Sequence, residues 1–271
     1  MPDLPADLAA DLAALVPRPD VGASVWRHPA IARRFYGPAA AFAIEACAGR
    51  ARVLDVGCGA GSVALELARA GHVVTAIDAS EAACAVARRT LADTDATVVH
   101  ARFGEDDLRA GSFDAVRFGR SLHHCSDVDA VAERAALVLT EGGVIAVDEF
   151  CAERVDDATA AWLAAVAEPL VRAGEAESGH IEDPAAVVRL WAEKRQRNGL
   201  RTGAEMWAAL DARFVLDEPA WYPYLWKDVA KRVLDPGRAE MVAQLVESSE
   251  AVLLAAGTLP GVAFRASGTV R

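Results

Sequence analysis

The sequence predicts an α/β fold, a doubly wound sheet of mostly parallel strands with a helical insertion after the fifth strand. Three observations predict it. First, Val53-Leu54-Asp55-Val56 reads as a strand buried on both faces that breaks into glycines at alternate positions, Gly57, Gly59 and Gly61. Second, Ser62 stands as an N-cap before Val63, Leu65, Leu67 and Ala68 at helical spacing, and strand then alternates with helix to about residue 150. Third, the stretch beyond Cys151 is helical in pattern and longer than a crossover helix needs.

The 271 residues suffice for one ample α/β domain with an insertion, or for two small domains. A 53% hydrophobic and 25% charged composition excludes a disordered chain. A net charge of −11 argues against a nucleic-acid surface. No apolar run has the length of a membrane span, and Met1-Pro2-Asp3-Leu4 lacks the basic start of an export signal. Cys47, Cys58, Cys84, Cys125 and Cys151 are scattered without a Cys-x-x-Cys pair, which predicts reduced thiols in a cytoplasmic protein.

Strand, glycine turn and helix together make a nucleotide site. Glycines admit close approach of the backbone, and a helix N-terminus offers unpaired N–H groups. A dinucleotide site calls for Gly-x-Gly-x-x-Gly, whereas the spacing here is Gly-x-Gly-x-Gly. Asp55, two positions ahead of the first glycine, is a poor neighbour for a pyrophosphate and a natural acceptor for an ammonium group. This stretch resembles motif I of the class I S-adenosylmethionine-dependent methyltransferases. The resemblance implies that Asp55, Gly57, Gly59 and Gly61 pass under the methionine part of S-adenosyl-L-methionine.

The remaining elements follow in order. Leu8, Leu12, Leu15 and Val16 predict a short amphipathic helix over Asp7–Val16, ended by Pro17 and Pro19. Trp26, Arg27, His28, Ile31, Phe35 and Tyr36 then form an aromatic and basic stretch. In the family the segment before the core folds over the active site, so Trp26, Arg27 and Tyr36 are candidate acceptor contacts; a helix merely packed on the sheet is the alternative.

The second strand, His72–Ile77, stops at Asp78, at the distance from the glycine turn where a carboxylate meets ribose hydroxyls. Asp78-Ala79 resembles the family's second cofactor motif, with Ser80 capping the next helix. After a short strand at Thr97–Ala101 the family carries an acid that reads the adenine edge. Gly104 occupies that place here, leaving Glu105 or Asp106 to substitute and Phe103 to stack on the base.

Gly111–Phe118 reads as a turn and the fourth strand, and Gly119-Arg120-Ser121-Leu122-His123-His124 is similar to the family's segment after that strand. There the backbone carbonyls near Phe118 and Gly119 would accept from the cofactor's ammonium. His123-His124-Cys125 carries no metal in this reading, because adjacent residues rarely converge on one ion. His123 is a candidate general base, with a buried packing histidine as the alternative.

A helix over Val128–Leu139, a stop at Glu141-Gly142-Gly143 and a fifth strand over Val144–Val147 follow. Glu149, just beyond, sits at the carboxyl edge where such sheets hold ligands. It can orient or deprotonate an acceptor. Helices over Ala158–Ala173 and Pro184–Arg197, joined by the flexible polar turn Gly174–His180, make a substrate cap, with extra scaffold or a dimer surface as the alternative. A helix at Glu205–Leu210, a strand at Arg213–Glu218, the aromatic run Trp221–Trp226, a helix over Arg238–Ala256 and a strand over Gly261–Val270 close the chain. In the aromatic run, Tyr222 and Tyr224 are candidate contacts for a flat acceptor or simple core filling.

The element order resembles the seven-stranded sheet of the family, in which the last strand is antiparallel. The expected organisation is a lid over 1–48, a cofactor-binding core over 49–150, a cap over 151–210, and core-completing elements over 211–271. The implied activity is direct transfer of a methyl group from S-adenosyl-L-methionine to an O, N or C nucleophile of a small molecule. A nicotinamide-dependent oxidoreductase is the alternative that the glycine spacing and Asp55 oppose. A non-catalytic S-adenosylmethionine-binding protein is the one that the altered adenine segment favours. The partner is a small molecule, with no nucleic acid and no membrane, and the sequence admits a homodimer.

Overall fold

The apolar runs form the strands. The computed structural model describes Val25 and residues 28–271. The expected helix at Asp7–Val16, with Trp26 and Arg27, lies outside the described residues. The strands are β1 (Arg52–Val56), β2 (Val73–Asp78), β3 (Thr97–His100), β4 (Phe113–Gly119), β5 (Leu139–Phe150), β6 (Phe214–Leu216), β7 (Ala220–Trp221) and β8 (Ala263–Val270). They pair in the order β3-β2-β1-β4-β5-β8-β6, with β7 beside β8. β1 runs parallel to β2 and β4, and β2–β3 and β4–β5 are parallel too. β8, the last strand, runs antiparallel to β6.

The chain winds outward through β1, β2 and β3, then returns to place β4 on the other side of β1. Ligands of open α/β sheets sit beyond the carboxyl ends of the strands at such a reversal. β1 can lie at this centre because Val53, Leu54, Asp55 and Val56 are all buried. Only the aspartate needs a polar partner there.

The helices are α1 (Pro29–Ala46), α2 (Ser62–Arg69), α3 (Glu81–Thr90), α4 (Val128–Val138), α5 (Asp157–Arg172), α6 (Pro184–Arg197), α7 (Gly203–Asp211), α8 (Trp226–Ala230) and α9 (Pro236–Ala255). By its contacts the chain divides into two units. The sheet unit comprises Tyr36–Phe150, Arg201–Ala220 and Phe264–Arg271, and the helical unit includes residues 28–35, Cys151–Leu200 and Trp221–Ala263.

In the sheet unit, Ala39, Ala43 and Cys47 of α1 share a core with Val53, Val74, Ala115 and the apolar side of α2. α7 belongs to this unit, where Trp207 meets Phe264 edge-on at 5.9 Å. In the helical unit, Asp156 caps α5 by accepting from Thr159 N–H at 2.8 Å. Asp235 caps α9 by accepting from Arg238 N–H at 2.8 Å. Caps of this kind contribute about 1 kcal/mol each.

Four local expectations change. Gly61, at φ 79, takes the cap position of α2, and Ser62 is already helical. The Glu141-Gly142-Gly143 stop lies inside β5: pairing jumps from Phe113↔Leu139 to Ala115↔Val144, and Gly142 at φ 68 absorbs the extra residues. The polar turn after α5 is held by backbone, with Ala176 bridged to Val233, Glu177 N–H donating to Arg232 O, and Leu234 N–H donating to Glu175 O. The aromatic run is not featureless either. It supplies β7, the eighth strand where seven were expected, and leads into α8.

α8 depends on one side chain from α9. Glu250, 5% exposed, accepts from the backbone N–H groups of Tyr224, Leu225 and Trp226 at 2.8, 3.0 and 2.9 Å. Burial pushes its carboxyl above the usual range, against the opposing pull of those three donors and of Lys227. A folded-state pKa that is raised contributes stability below the unfolded value, near 4.3 in model peptides, and loses it as pH rises through the folded value. Wild-type stability should therefore decline above roughly pH 4 by this contribution, and Glu250→Gln, which cannot ionise, should show a flatter profile. Urea denaturation of both proteins across pH 4–7 tests this, and parallel profiles would refute it.

Candidate functional site

The glycine turn separates into positions with different duties. A Cβ on Gly57, at φ 71, would collide with the Ser121 side chain, whose hydroxyl donates to Val56 O at 2.6 Å. Gly57 is therefore needed by the protein's own packing. Gly61 packs on α3, where a Cβ would stand 3.3 Å from Ala87. Gly59, at φ 56, faces open space with nothing within 4 Å. Its N–H donates to Asp78 Oδ2 at 2.9 Å, and the other Asp78 oxygen accepts from Ser80 N–H at 2.8 Å. This half-buried carboxylate thus joins the turn to the end of β2.

Asp55 is fully buried, and its partner is one that sequence reasoning missed. Arg117 is its register neighbour on β4, is 2% exposed, and donates through Nη1 to Asp55 Oδ1 at 2.5 Å. The guanidinium covers Gly119, where any Cβ would collide with it. Asp55 Oδ2 and Arg117 Nε have no hydrogen-bond partner among the described residues. The acid expected to face an ammonium group is neutralised from within. The available signal was an arginine inside the buried run Ala115-Val116-Arg117-Phe118 of β4.

The segment after β4 turns sharply at Arg120, the one non-glycine with positive φ among the described residues, at φ 57. Its N–H donates to Asp148 O at 2.7 Å. The next three residues are organised by Glu149, which is fully buried at the end of β5. Glu149 Oε1 accepts from Ser121 N–H at 2.7 Å and Leu122 N–H at 2.6 Å. Glu149 Oε2 lies 2.6 Å from His123 Nδ1. A carboxylate only accepts, so the proton of that contact sits on Nδ1 and Nε2 is left as the basic nitrogen. Nε2 has no hydrogen-bond partner among the described residues. His124 and Phe150, with ring centroids 4.2 and 4.3 Å away, fix the imidazole plane.

The other predicted residues are spread more widely. Phe103 is buried and packs edge-on against Phe118 at 5.9 Å. Asp106 accepts from Gly104 N–H at 2.7 Å and from Arg134 at 2.5 Å, so it serves its own loop, while Gly104 and Glu105 are exposed. Ala79 is exposed and its carbonyl is 3.3 Å from His100 Nε2. The Tyr36 ring lies under the Arg120 guanidinium at 5.1 Å, and burial pushes its phenol pKa up. Tyr222 and Tyr224 belong to the helical unit, 6.3 Å apart and edge-on. Among the described residues no group of three His, Cys, Asp or Glu side chains is arranged to hold a metal ion.

Residues 53–143 match the family model described as a methyltransferase domain. The chain is similar to the ubiquinone biosynthesis O-methyltransferase of Xanthomonas axonopodis pv. citri, 41% identical over 96 residues, covering 34% of this chain and 40% of that protein. An uncharacterized methyltransferase of Mycobacterium bovis is 37% identical over 98 residues, covering 36% and 50%. The chain thus spans about 40% of the length of the first of these relatives.

Among solved structures, an S-adenosylmethionine-dependent methyltransferase from Mesorhizobium loti has a TM-score of 0.55 at 18% identity, covering 86% of this chain and 97% of that one. Geranyl diphosphate C-methyltransferase from Streptomyces coelicolor, solved with Mg2+, geranyl-S-thiolodiphosphate and S-adenosyl-L-homocysteine, has a TM-score of 0.57 at 14% identity, covering 99% and 93%. At these identities the likeness is one of fold.

The Asp55–Arg117 pair makes a clear energetic prediction. Removing one member of a buried ion pair strands the other charge and costs about 3–5 kcal/mol. Arg117→Met and Asp55→Asn should each be strongly destabilising, and the double variant should lose markedly less than their sum, with a coupling of about 0.5–3 kcal/mol. Denaturant titration of the four proteins measures this. Strictly additive losses would refute the pairing.

Proposed function

On the premise that the chain belongs to the class I S-adenosylmethionine-dependent methyltransferases, we propose that it transfers a methyl group to an O, N or C nucleophile of a small molecule. The observation that carries this reading is the open face of Gly59 with Asp78 bound to its N–H. The residues fit the cofactor there. Gly59 leaves room for close approach, and Asp78 retains acceptor capacity for vicinal hydroxyls after its two backbone bonds. Asp55 does not meet the cofactor's ammonium in this account, because Arg117 holds its carboxylate.

When bound, S-adenosyl-L-methionine supplies a methyl group on a sulfonium sulfur. The protein's own work is to position the acceptor, exclude water and take up a proton where the acceptor carries one. We assign the proton to His123 Nε2. Glu149 acts as the orienting group, since both of its oxygens are engaged by Ser121, Leu122 and His123. Tyr36, on the same unit, is a candidate acceptor contact. The relative named for ubiquinone biosynthesis and the fold neighbour solved with a geranyl diphosphate analogue support a small acceptor. Five free thiols suit a reducing, cytoplasmic setting. No helix among the described residues is long and apolar enough to cross a membrane.

Two measurements test this. Asp78→Ala removes charge-assisted hydrogen bonds and should weaken S-adenosyl-L-homocysteine binding about ten- to a hundredfold by calorimetry; a change below twofold would remove Asp78 from the site. His123→Ala should lower kcat by about 100-fold or more while leaving that affinity intact. Glu149→Gln should give a smaller loss of kcat. The assay uses labelled cofactor with a panel of phenols and amines, and unchanged turnover in both variants would leave positioning alone to explain catalysis.

A further inference from the structure

The helical unit holds a group of buried cations that the transfer chemistry does not use. Lys227 Nζ lies 3.0 Å from Asp228 Oδ2, and Lys231 Nζ lies 2.5 Å from Asp228 Oδ1. Burial opposes the charged Asp228 carboxylate, and Lys227 and Lys231 outweigh it, holding its pKa well below the usual range. Burial lowers the pKa of Lys231 in turn. One acid therefore serves two ammonium groups.

Arg232 follows directly and is 4% exposed. Among the described residues its side-chain hydrogen bonding amounts to a 3.5 Å contact from Nη1 to Ser178 O, and Nε has no partner. Among the described residues no carboxylate pairs with it. The guanidinium lies against Gly179, where a Cβ would collide with it. His180 is half-buried, and burial followed by the nearby Arg232 charge depresses its pKa and favours the neutral ring. Two nearby acids are committed elsewhere. Glu182 accepts from Gly179 N–H at 2.9 Å, and Glu250 caps α8.

A guanidinium carries five N–H donors; here Nε is buried without a partner and Nη1 has one long contact, an arrangement that an arriving anion would relieve. The cluster has a wet side, since the Asp228 and Lys231 side chains keep 19% and 13% of their exposure. It also has an apolar wall. The Lys227 ammonium stands 4.0 Å from the Tyr224 ring centroid and 5.9 Å from that of Phe35, and those rings are 5.8 Å apart.

We propose that Arg232, Lys231 and Lys227 form a site for an oxyanion, a carboxylate or phosphate carried by a ligand whose aromatic or apolar body rests on Tyr224 and Phe35. The site is defined by binding and stands independently of methyl transfer.

The test is calorimetry on the full chain without cofactor, at constant ionic strength set with chloride. The probes are inorganic phosphate, phenyl phosphate, benzoate and the uncharged benzamide. At least one of the anions should bind more than tenfold tighter than benzamide, and the preferred one names the head group. Arg232→Gln should weaken that binding at least tenfold. Asp228→Asn should strengthen it severalfold, because both lysines lose their internal partner; a merely structural aspartate gives no such gain. Should Arg232→Gln fail to fold, Lys227→Met reads the same loss. Anions that bind no better than benzamide, or an Asp228→Asn protein without tighter binding, would overturn the proposal. Loss of methyl transfer in His123→Ala has no bearing on either outcome.

Discussion

The ion pair between Asp55 and Arg117 is the constraint on which the centre of the sheet depends. It joins β1 to β4 at the place where the strand order reverses, which is where an open α/β sheet has its crevice. A lone carboxylate buried there would have to be protonated or matched by a ligand. With Arg117 as its register neighbour, β1 and β4 can close on each other before any ligand arrives. The cost is that Asp55 Oδ2 and Arg117 Nε go without hydrogen bonds among the described residues, and that a side chain at position 119 would displace the guanidinium.

The same close packing explains why the glycines of the turn are not equivalent. Gly57 makes room for Ser121, and through Ser121 the turn is tied to the segment that Glu149 orders. Gly61 makes room for α3. Only Gly59 is open, and it is also the one whose N–H is held by Asp78. The glycines of the motif therefore have three different surroundings, of which one is open space. The Glu149 carboxylate plays a comparable joint role on the other side, as it fixes two backbone N–H groups and one imidazole with two oxygens.

The alternation of strand and helix was legible because it rests on local signals: apolar runs, glycine breaks and caps such as Ser80, which accepts from Ala83 N–H as expected. Spacing marked Asp78 as a ribose acceptor, but its bond to Gly59 N–H was not visible in the sequence. Features fixed by contacts distant in sequence were not. The separation of 62 positions between Asp55 and Arg117 hides their adjacency in the sheet, so Asp55 read as a free acceptor. Glu149 and His123 were both visible as candidates, but their division of labour depends on which lone pairs the backbone has already taken. Asp106, open as a substitute adenine contact in the sequence, is bound to Gly104 and Arg134. The aromatic run read as pocket or core because nothing local shows that Glu250, 24 to 26 residues later, gathers its three N–H groups into a helix start.

A chain with a net charge of −11 that buries a partly unmatched arginine beside two lysines places opposite demands on an anionic ligand. At long range the overall charge repels it, whereas within a few ångströms the cations attract it in a low-dielectric setting. Salt acts differently on the two. With a Debye length of about 8 Å at physiological ionic strength, the long-range repulsion is largely screened while the buried contacts are screened much less. An anionic ligand of the helical unit should therefore associate faster as salt rises from low concentration, the reverse of a ligand captured by an exposed basic patch. Stopped-flow association rates measured against sodium chloride distinguish the two cases. A rate that falls monotonically with salt would locate the attraction on the exposed surface instead of in the buried cluster.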